Sequence, residues 1–321
     1  MQEPILIDTD TASDDAVALI MAFRHAPERV VAITTVAGNV PVEQGTKNAL
    51  YTAELCGAVT PVYQGAEKPL TRRLIPADWF HGRDGLGDHG YPPPRRTAEE
   101  THAVEAITSI VRDNPGITLV TLGPLTNIAL ALAQAPDLVR NVRRCVVMGG
   151  APCCEGNVTP AAEYNIWVDP EAARIVFHSG LPIEMVGWQL CRGDAVITPE
   201  DIEFVIWLGT PLANFAIECN STARKAFLEQ TGVDGISLPD PVAMSIALDP
   251  SIGTEAGRHY VDIETASEMT RGMTVVDRLG VAGNSRNHTT WAPLLTQPPN
   301  AKVYWEIDAA RWKESLYAAL R

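Results

Sequence analysis

Two rhythms of apolar and polar positions alternate along the first two thirds of the chain. Short runs rich in β-branched residues occupy positions 4–8, 30–37, 117–122, 144–148 and 181–187. Apolar runs of this length, bounded by turn residues, predict buried strands. Between them lie stretches with helical spacing. Positions 14–23 open on Asp14-Asp15, acidic residues favoured at a helix N-terminus, and 42–55 follow the same period. A turn and helix follow the strand that ends at 122, and Asp169-Pro170 predicts a further helix start, with Asp as N-cap and Pro at the first helical position. The last third differs. It shows a long helical stretch over 199–230, a helix from Pro241, a hairpin-like segment over 260–277 and a terminal helix after Asp308. The alternation predicts an α/β fold, a Rossmann-like, open, mostly parallel β-sheet flanked by helices, with a more helical C-terminal third. No repeat, low-complexity stretch or linker interrupts it, so residues 1–321 read as a single domain.

Composition narrows the function classes. The 321 residues are 46% hydrophobic, and 25 basic against 39 acidic residues give a net charge of −14. Such a chain can bury a full core. Its negative charge argues against nucleic acid and against anionic lipid as partners. No apolar run reaches the ~18–20 residues of a membrane span, and the N-terminus lacks the basic and apolar regions of a signal peptide. The expected location is cytoplasmic. Cys56, Cys145, Cys153, Cys154, Cys191 and Cys219 form no CxxC pair, so buried reduced thiols are expected rather than a zinc site or disulfide framework.

The candidate chemistry concentrates at the end of the first predicted strand, where Asp8, Asp10, Asp14 and Asp15 fall within eight residues. Ligands of open parallel sheets bind outside the carboxyl ends of the strands. Four crowded carboxylates repel one another unless a positive charge joins them. A hard cation with oxygen ligands answers this: Ca²⁺, or Mg²⁺ in a smaller octahedral site. Simpler readings compete. Asp14 and Asp15 would serve as helix-start residues, and Asp8 would orient the loop by hydrogen bonds. The run Asp8-Thr9-Asp10 also comes close to the start of haloacid-dehalogenase-type phosphatases, in which Asp8 would be a covalent nucleophile. Ser13-Asp14-Asp15 breaks the apolar continuation those enzymes need, and no late acidic pair stands out.

The octet Asp8-Thr9-Asp10-Thr11-Ala12-Ser13-Asp14-Asp15 resembles the N-terminal motif of the inosine-uridine-preferring nucleoside hydrolases. Further stretches match that family in order: Thr35-Val36-Ala37-Gly38-Asn39, the His81-Gly82-Arg83-Asp84-Gly85-Leu86 loop, Gly123-Pro124-Leu125-Thr126-Asn127, Met148-Gly149-Gly150 with Gly156-Asn157, Glu163-Tyr164-Asn165, Asp240-Pro241 and the segment Arg271 to Asp277. The resemblance spans nearly the whole chain. It implies the nucleoside hydrolase fold, a homodimer or homotetramer, a small-molecule ribonucleoside as substrate, and Ca²⁺-dependent cleavage of its N-glycosidic bond. It further implies that Asp10, Asp15, Asp240 and the carbonyl oxygen of Leu122 hold the ion. Asp10 would act as general base on water. Asp14, Asn39 and Asn165 would bind ribose hydroxyls, Asn157 and Glu163 the 5′-hydroxyl end, and Met148 the sugar face.

One departure bears on the leaving group. Many members with pyrimidine or broad specificity carry a His before the late Asp. Here that position is Pro239, which donates no proton. His81 is the first substitute as acid. The second is an aromatic platform, as in purine-preferring members, for which Trp79 and Trp188 are the candidates; this leans the expected substrate toward purine nucleosides. Phe227 is the one aromatic residue in the stretch 220–229, where the family lines its base pocket. A member that lost catalysis and only binds a nucleoside or ribosyl ligand is the remaining alternative.

Overall fold

In the computed structural model, which describes residues 3–287 and 298–321, the five β-branched runs become strands of one sheet together with strands that the pattern does not mark. These are β1 (Ile5–Thr9), β2 (Val30–Thr35), β3 (Val62–Gln64), β4 (Ile117–Thr121), β5 (Val142–Met148), β6 (Ile183–Val186) and β7 (Gly253–His259). A separate antiparallel pair, β8 (Val261–Ile263) and β9 (Thr274–Val276), precedes β10 (Ala301–Ile307). The eight-stranded sheet has the order β3-β2-β1-β4-β5-β6-β10-β7. It is parallel throughout except for β7, which runs antiparallel to β10 at the edge. In register, Ile7 lies beside Ile33 on one side and Val120 on the other. The chain builds outward one way from β1 and then returns to build the other way from β4. The crevice between the carboxyl ends of β1 and β4 is therefore the switch point where such sheets hold ligands.

Twelve helices are described: α1 (Ser13–His25), α2 (Val42–Leu55), α3 (Asp78–His81), α4 (Ala103–Asp113), α5 (Thr126–Gln134), α6 (Tyr164–Val168), α7 (Pro170–Phe177), α8 (Pro199–Trp207), α9 (Pro211–Cys219), α10 (Ser221–Thr231), α11 (Pro239–Leu248) and α12 (Ala309–Leu320). Side chains alternate across a strand, and β1 shows the result. Ile5 and Ile7 enter the core that holds α1, α11 and α12, while Leu6 enters the core under α4, α5 and α7. Helix α1 is buried from Ser13 through Phe23, packed against α2, α9, α11 and α12. A helix enclosed on all sides holds its N-terminus, and so Asp14 and Asp15, in a fixed place.

The predicted parallel sheet is present, with three corrections. The helical stretch 199–230 is three helices. Gly209, with φ +67°, ends the first turn-out, and Thr210 caps α9 by accepting from Ala213 N, with Pro211 next. Buried Asn220 then separates α9 from α10. Helix α11 begins at Pro239 rather than Pro241. Strands β7 and β10 extend the sheet into the C-terminal third. Among the thiols, Cys145, Cys191 and Cys219 are buried, but Cys153 is exposed. No helix among the described residues is long and apolar enough to cross a membrane.

Candidate active site

The turn that leaves β1 carries the first carboxylates. Thr11 has φ +32°, a strained conformation for a β-branched residue. Its neighbours hold it there: Thr11 N donates to Thr9 Oγ1 at 3.0 Å, and Asn48 Nδ2 donates to Thr11 O at 2.9 Å. Asp10 is wholly buried, and its Oδ2 accepts from Asn39 N at 2.5 Å. A Cβ at position 123 would stand 2.9 Å from Asp10 Oδ1, so a glycine in the β4 turn lets the two loops close on this carboxylate. Asp8 lies one layer deeper. Its Oδ1 accepts from Thr34 Oγ1 at 2.6 Å and from Asn127 Nδ2 at 2.8 Å, and burial, outweighing both bonds, pushes its carboxyl up to about 7. Asp8 is 0% exposed and is tied beneath the turn by Thr34 and Asn127, so the phosphatase reading, which needs it as a nucleophile, finds no accessible carboxylate there.

Three carboxylates from two distant stretches converge beside Asp10. Asp14, Asp15 and Asp240 each offer an oxygen within 4.8 Å of the others, and all three are buried. Asp15 is fixed by Thr9 Oγ1 at 2.5 Å and Ala12 N at 2.9 Å, and Asp240 sits in the first turn of α11. Burial lifts Asp14 and Asp15 to about 6, and Asp14's negative charge adds to the lift of Asp15. Asp10 and Asp240 rise well above the usual carboxylate range, through burial first and their acidic neighbours second. Oxygens Asp10 Oδ1 and Asp14 Oδ1 are enclosed and have no hydrogen-bond partner. Of the expected ligands, Asp15 and Asp240 meet in this cluster with Asp14, expected on the ribose; Asp10 lies near enough to feel the charge of Asp14 and Asp15 but is not one of the three. The donor set fits a divalent cation: all oxygen, crowded and negative, with unpartnered lone pairs and no Lys or Arg lining the cavity above.

That cavity, about 620 Å³ counted out to its mouth, opens directly over Asp14, Asp240 and Leu122. Loops after β2, β4 and β5 wall it with Asn39, Leu122 and Met148, and Met148 is 2% exposed. The carbonyl of Leu122 accepts from Asn165 Nδ2 at 2.7 Å, and a carbonyl keeps a second lone pair. Glu163 caps α6. Its carboxylate accepts from Gly150 N at 2.7 Å, Asn165 N at 2.8 Å and Ile166 N at 3.3 Å, so it ties two loops together at the cavity wall. Asn157 also lines the wall, with its Oδ1 taken by Tyr164 N at 2.9 Å. Tyr164, absent from the expected site, fastens the mouth loops through a hydroxyl 2.8 Å from Gly38 O and 2.9 Å from Ile75 O.

The mouth carries the aromatic candidates. Helix α3 brings Trp79, Phe80 and His81 to it. Trp79 is 59% exposed, whereas His81, expected on an open loop, is turned inward at 7%. Its Nδ1 lies 2.8 Å from Ser13 Oγ and 3.8 Å from Asp14 Oδ1, and burial, against the pull of Asp15, lowers its pKa to about 4. Trp188 lines the opposite side together with Ser237 and Pro239. Phe227 is not at the cavity; it lies in the core, and Gln230 of α10 lines the mouth instead. Phe80, Gln230 and Ser237 carry no motif that marks them in the sequence; only the fold brings them together.

Comparison with known proteins follows the geometry. Residues 5–314 match the family model described as inosine-uridine preferring nucleoside hydrolase. The pyrimidine-specific ribonucleoside hydrolase RihA of Shewanella sp. (strain MR-7) is 42% identical over 328 residues, covering 100% of this chain and 96% of its own. A plant nucleoside hydrolase, the PpNRh1 enzyme, superposes with a TM-score of 0.90 at 33% identity, over 99% of this chain and 98% of its own. The purine-preferring ribonucleoside hydrolase from Gardnerella vaginalis superposes with a TM-score of 0.88 at 29% identity, over 99% and 98%. The expected lean toward purine nucleosides is overturned: relatives from Shewanella and Klebsiella pneumoniae that are 41–42% identical are pyrimidine-specific by name. The chain belongs to the inosine-uridine preferring nucleoside hydrolase family and is a hydrolase acting on N-glycosyl bonds.

Proposed function

We propose that the protein is a Ca²⁺-dependent hydrolase of pyrimidine ribonucleosides, releasing ribose and the free base. The observation that carries this reading is the nest of buried carboxylates, some with oxygens unpartnered among the described residues, beneath a cavity walled by amide, aromatic and acidic side chains. Asp10, Asp15, Asp240 and the carbonyl of Leu122 would hold the cation, with Asp14 against them. When bound, the ion supplies a fixed positive charge that grips the ribose diol and lowers the pKa of water at the site.

The chain's own groups do the rest. Asp10 Oδ1 has no protein partner and is the general base that takes the proton from the attacking water. Asp14, Asn39 and Asn165 receive the ribose hydroxyls, Asn157 and Glu163 face the 5′ end, and Met148 packs beneath the sugar. Surrounding carboxylates stabilise the positive charge that develops at the anomeric carbon as the base departs. A deoxyribose leaves a buried polar group unpaired and is rejected. His81 is the candidate proton donor for the leaving base, a role that requires the occupied site to lift its pKa from the value of about 4 that burial sets, and Trp79 shields the base at the mouth. The relatives' specificity directs the choice to pyrimidines. The same reading places the protein in the cytoplasm as a homodimer or homotetramer.

The test is a comparison of ribose release from uridine, cytidine, inosine, adenosine and guanosine. Faster release from uridine and cytidine is expected. Faster release from the purine nucleosides overturns the specificity, and binding with no release from any of the five marks a non-catalytic member.

A further inference from the structure

Two tryptophans are nearly enclosed, Trp312 at 0% and Trp188 at 5% exposure. A buried indole N–H ordinarily finds an acceptor. Trp312 does, donating to Ala195 O at 3.0 Å, and half-buried Trp305 donates to His259 Nε2 at 3.2 Å. Trp188 differs. It lines the active-site cavity, its indole N–H has no acceptor among the described residues, and that nitrogen is not one of the enclosed unpartnered atoms, so it stays open to a ligand. The turn at 188–191 packs against α11, whose first residue, Pro239, lines the same cavity and offers no donor. Ser237 beside it spends its hydroxyl on Cys191 O at 3.0 Å. On this side of the cavity the indole is thus the donor left uncommitted.

We propose that Trp188 is a catalytic residue that donates its indole N–H to the carbonyl oxygen beside the glycosidic nitrogen of the departing pyrimidine, resting on the function proposed above. As the bond from the anomeric carbon to the base nitrogen breaks, its electron pair passes to the base and spreads to the adjacent carbonyl oxygen. Water supplies the hydroxyl that replaces the base on the sugar, and its proton goes to Asp10. The indole transfers no proton. It stabilises the developing negative charge by a hydrogen bond, and the base anion takes its proton afterwards, from His81 or from water.

Trp188→Phe keeps an aromatic ring and removes the N–H. Uridine should lose about 10²-fold in kcat/KM. A nitrophenyl riboside, whose phenolate leaves without such help, should lose at least tenfold less. Equal losses on both substrates, or undiminished cleavage of uridine, overturn the assignment while leaving the function intact. Wild-type protein that cleaves neither substrate overturns both. A second measurement needs no variant: in wild-type protein carrying ¹⁵N-labelled tryptophan, pseudouridine, whose C-glycosidic bond resists hydrolysis, should move the Trp188 indole proton downfield. An unmoved resonance in the saturated protein overturns the proposal.

Discussion

Asp8 and Asp10 stand two residues apart and have different surroundings. Both are fully buried and each keeps one oxygen without a partner among the described residues, but Asp8 binds Thr34 and Asn127 beneath the turn, while Asp10 lies beside the acidic trio. Replacing Asp10 by Asn should therefore lower kcat by about 10²–10⁴ with little loss of stability. Turnover within a few-fold of wild type removes Asp10 as the base. Replacing Asp8 by Ala should instead leave the Thr34 hydroxyl without its close acceptor and one Asn127 N–H unpaired, while Asn127 keeps its bond to Thr35 O, costing roughly 1–3 kcal/mol in urea unfolding. A stable Asp8→Ala protein contradicts the structural role. The motif that holds both residues is legible in the sequence, and so is its match to one family. Which carboxylate is tied beneath the turn and which lies beside the acidic trio is not, because strand alternation and the strained Thr11 decide it. His81 shows the same limit: its loop is readable, but its inward turn onto Ser13 depends on a contact 68 residues away.

At the scale of elements, legibility follows the strength of the local signal. Helix α2 is read at its observed bounds, and the N-cap Asp169 with Pro170 fixes the start of α7. Strand β7, Gly253–His259, carries almost no aliphatic residues, since it is an edge strand whose side chains are largely solvent-facing. It gives the pattern nothing to detect, and β3 is only three residues long. Helix α4 buries Val104, Ile107 and Val111 at helical spacing, so it was open to reading. A clasp that no pattern announces joins α12 to α8. Asp201 closes a capping box with Thr198 and also accepts from Lys313 Nζ at 2.7 Å and Tyr317 hydroxyl at 2.6 Å. Partial burial raises its pKa, but these bonds prevail and hold it at about 2. Asp201→Ala should cost about 1–2 kcal/mol near neutral pH. Because the folded value lies below the ordinary one, this contribution is present above about pH 4 and fades as pH falls through 2. The stability gap between wild type and variant, followed by denaturant melts from pH 7 to 2, should close at the acid end; a constant gap contradicts the ionic part.

At the scale of the molecule, the sheet brings together residues from opposite ends of the chain. Asp14 and Asp15 on α1 meet Asp240 on α11, and the extensive packing of α1 on α11 fixes their approach. Folding thus concentrates negative charge in a chain that already carries −14. A cation that binds only the folded protein stabilises it by mass action, about 2.7 kcal/mol at a hundredfold excess over its dissociation constant. Exhaustive chelation should therefore lower the melting temperature, and Ca²⁺ should restore it; an unmoved melting curve contradicts a structural contribution from the ion. The direct test is to strip the protein of metal and follow ribose release from uridine as Ca²⁺ is returned. The account predicts negligible release from the stripped protein and recovery that saturates at one ion per chain. Undiminished release from the stripped protein would contradict it.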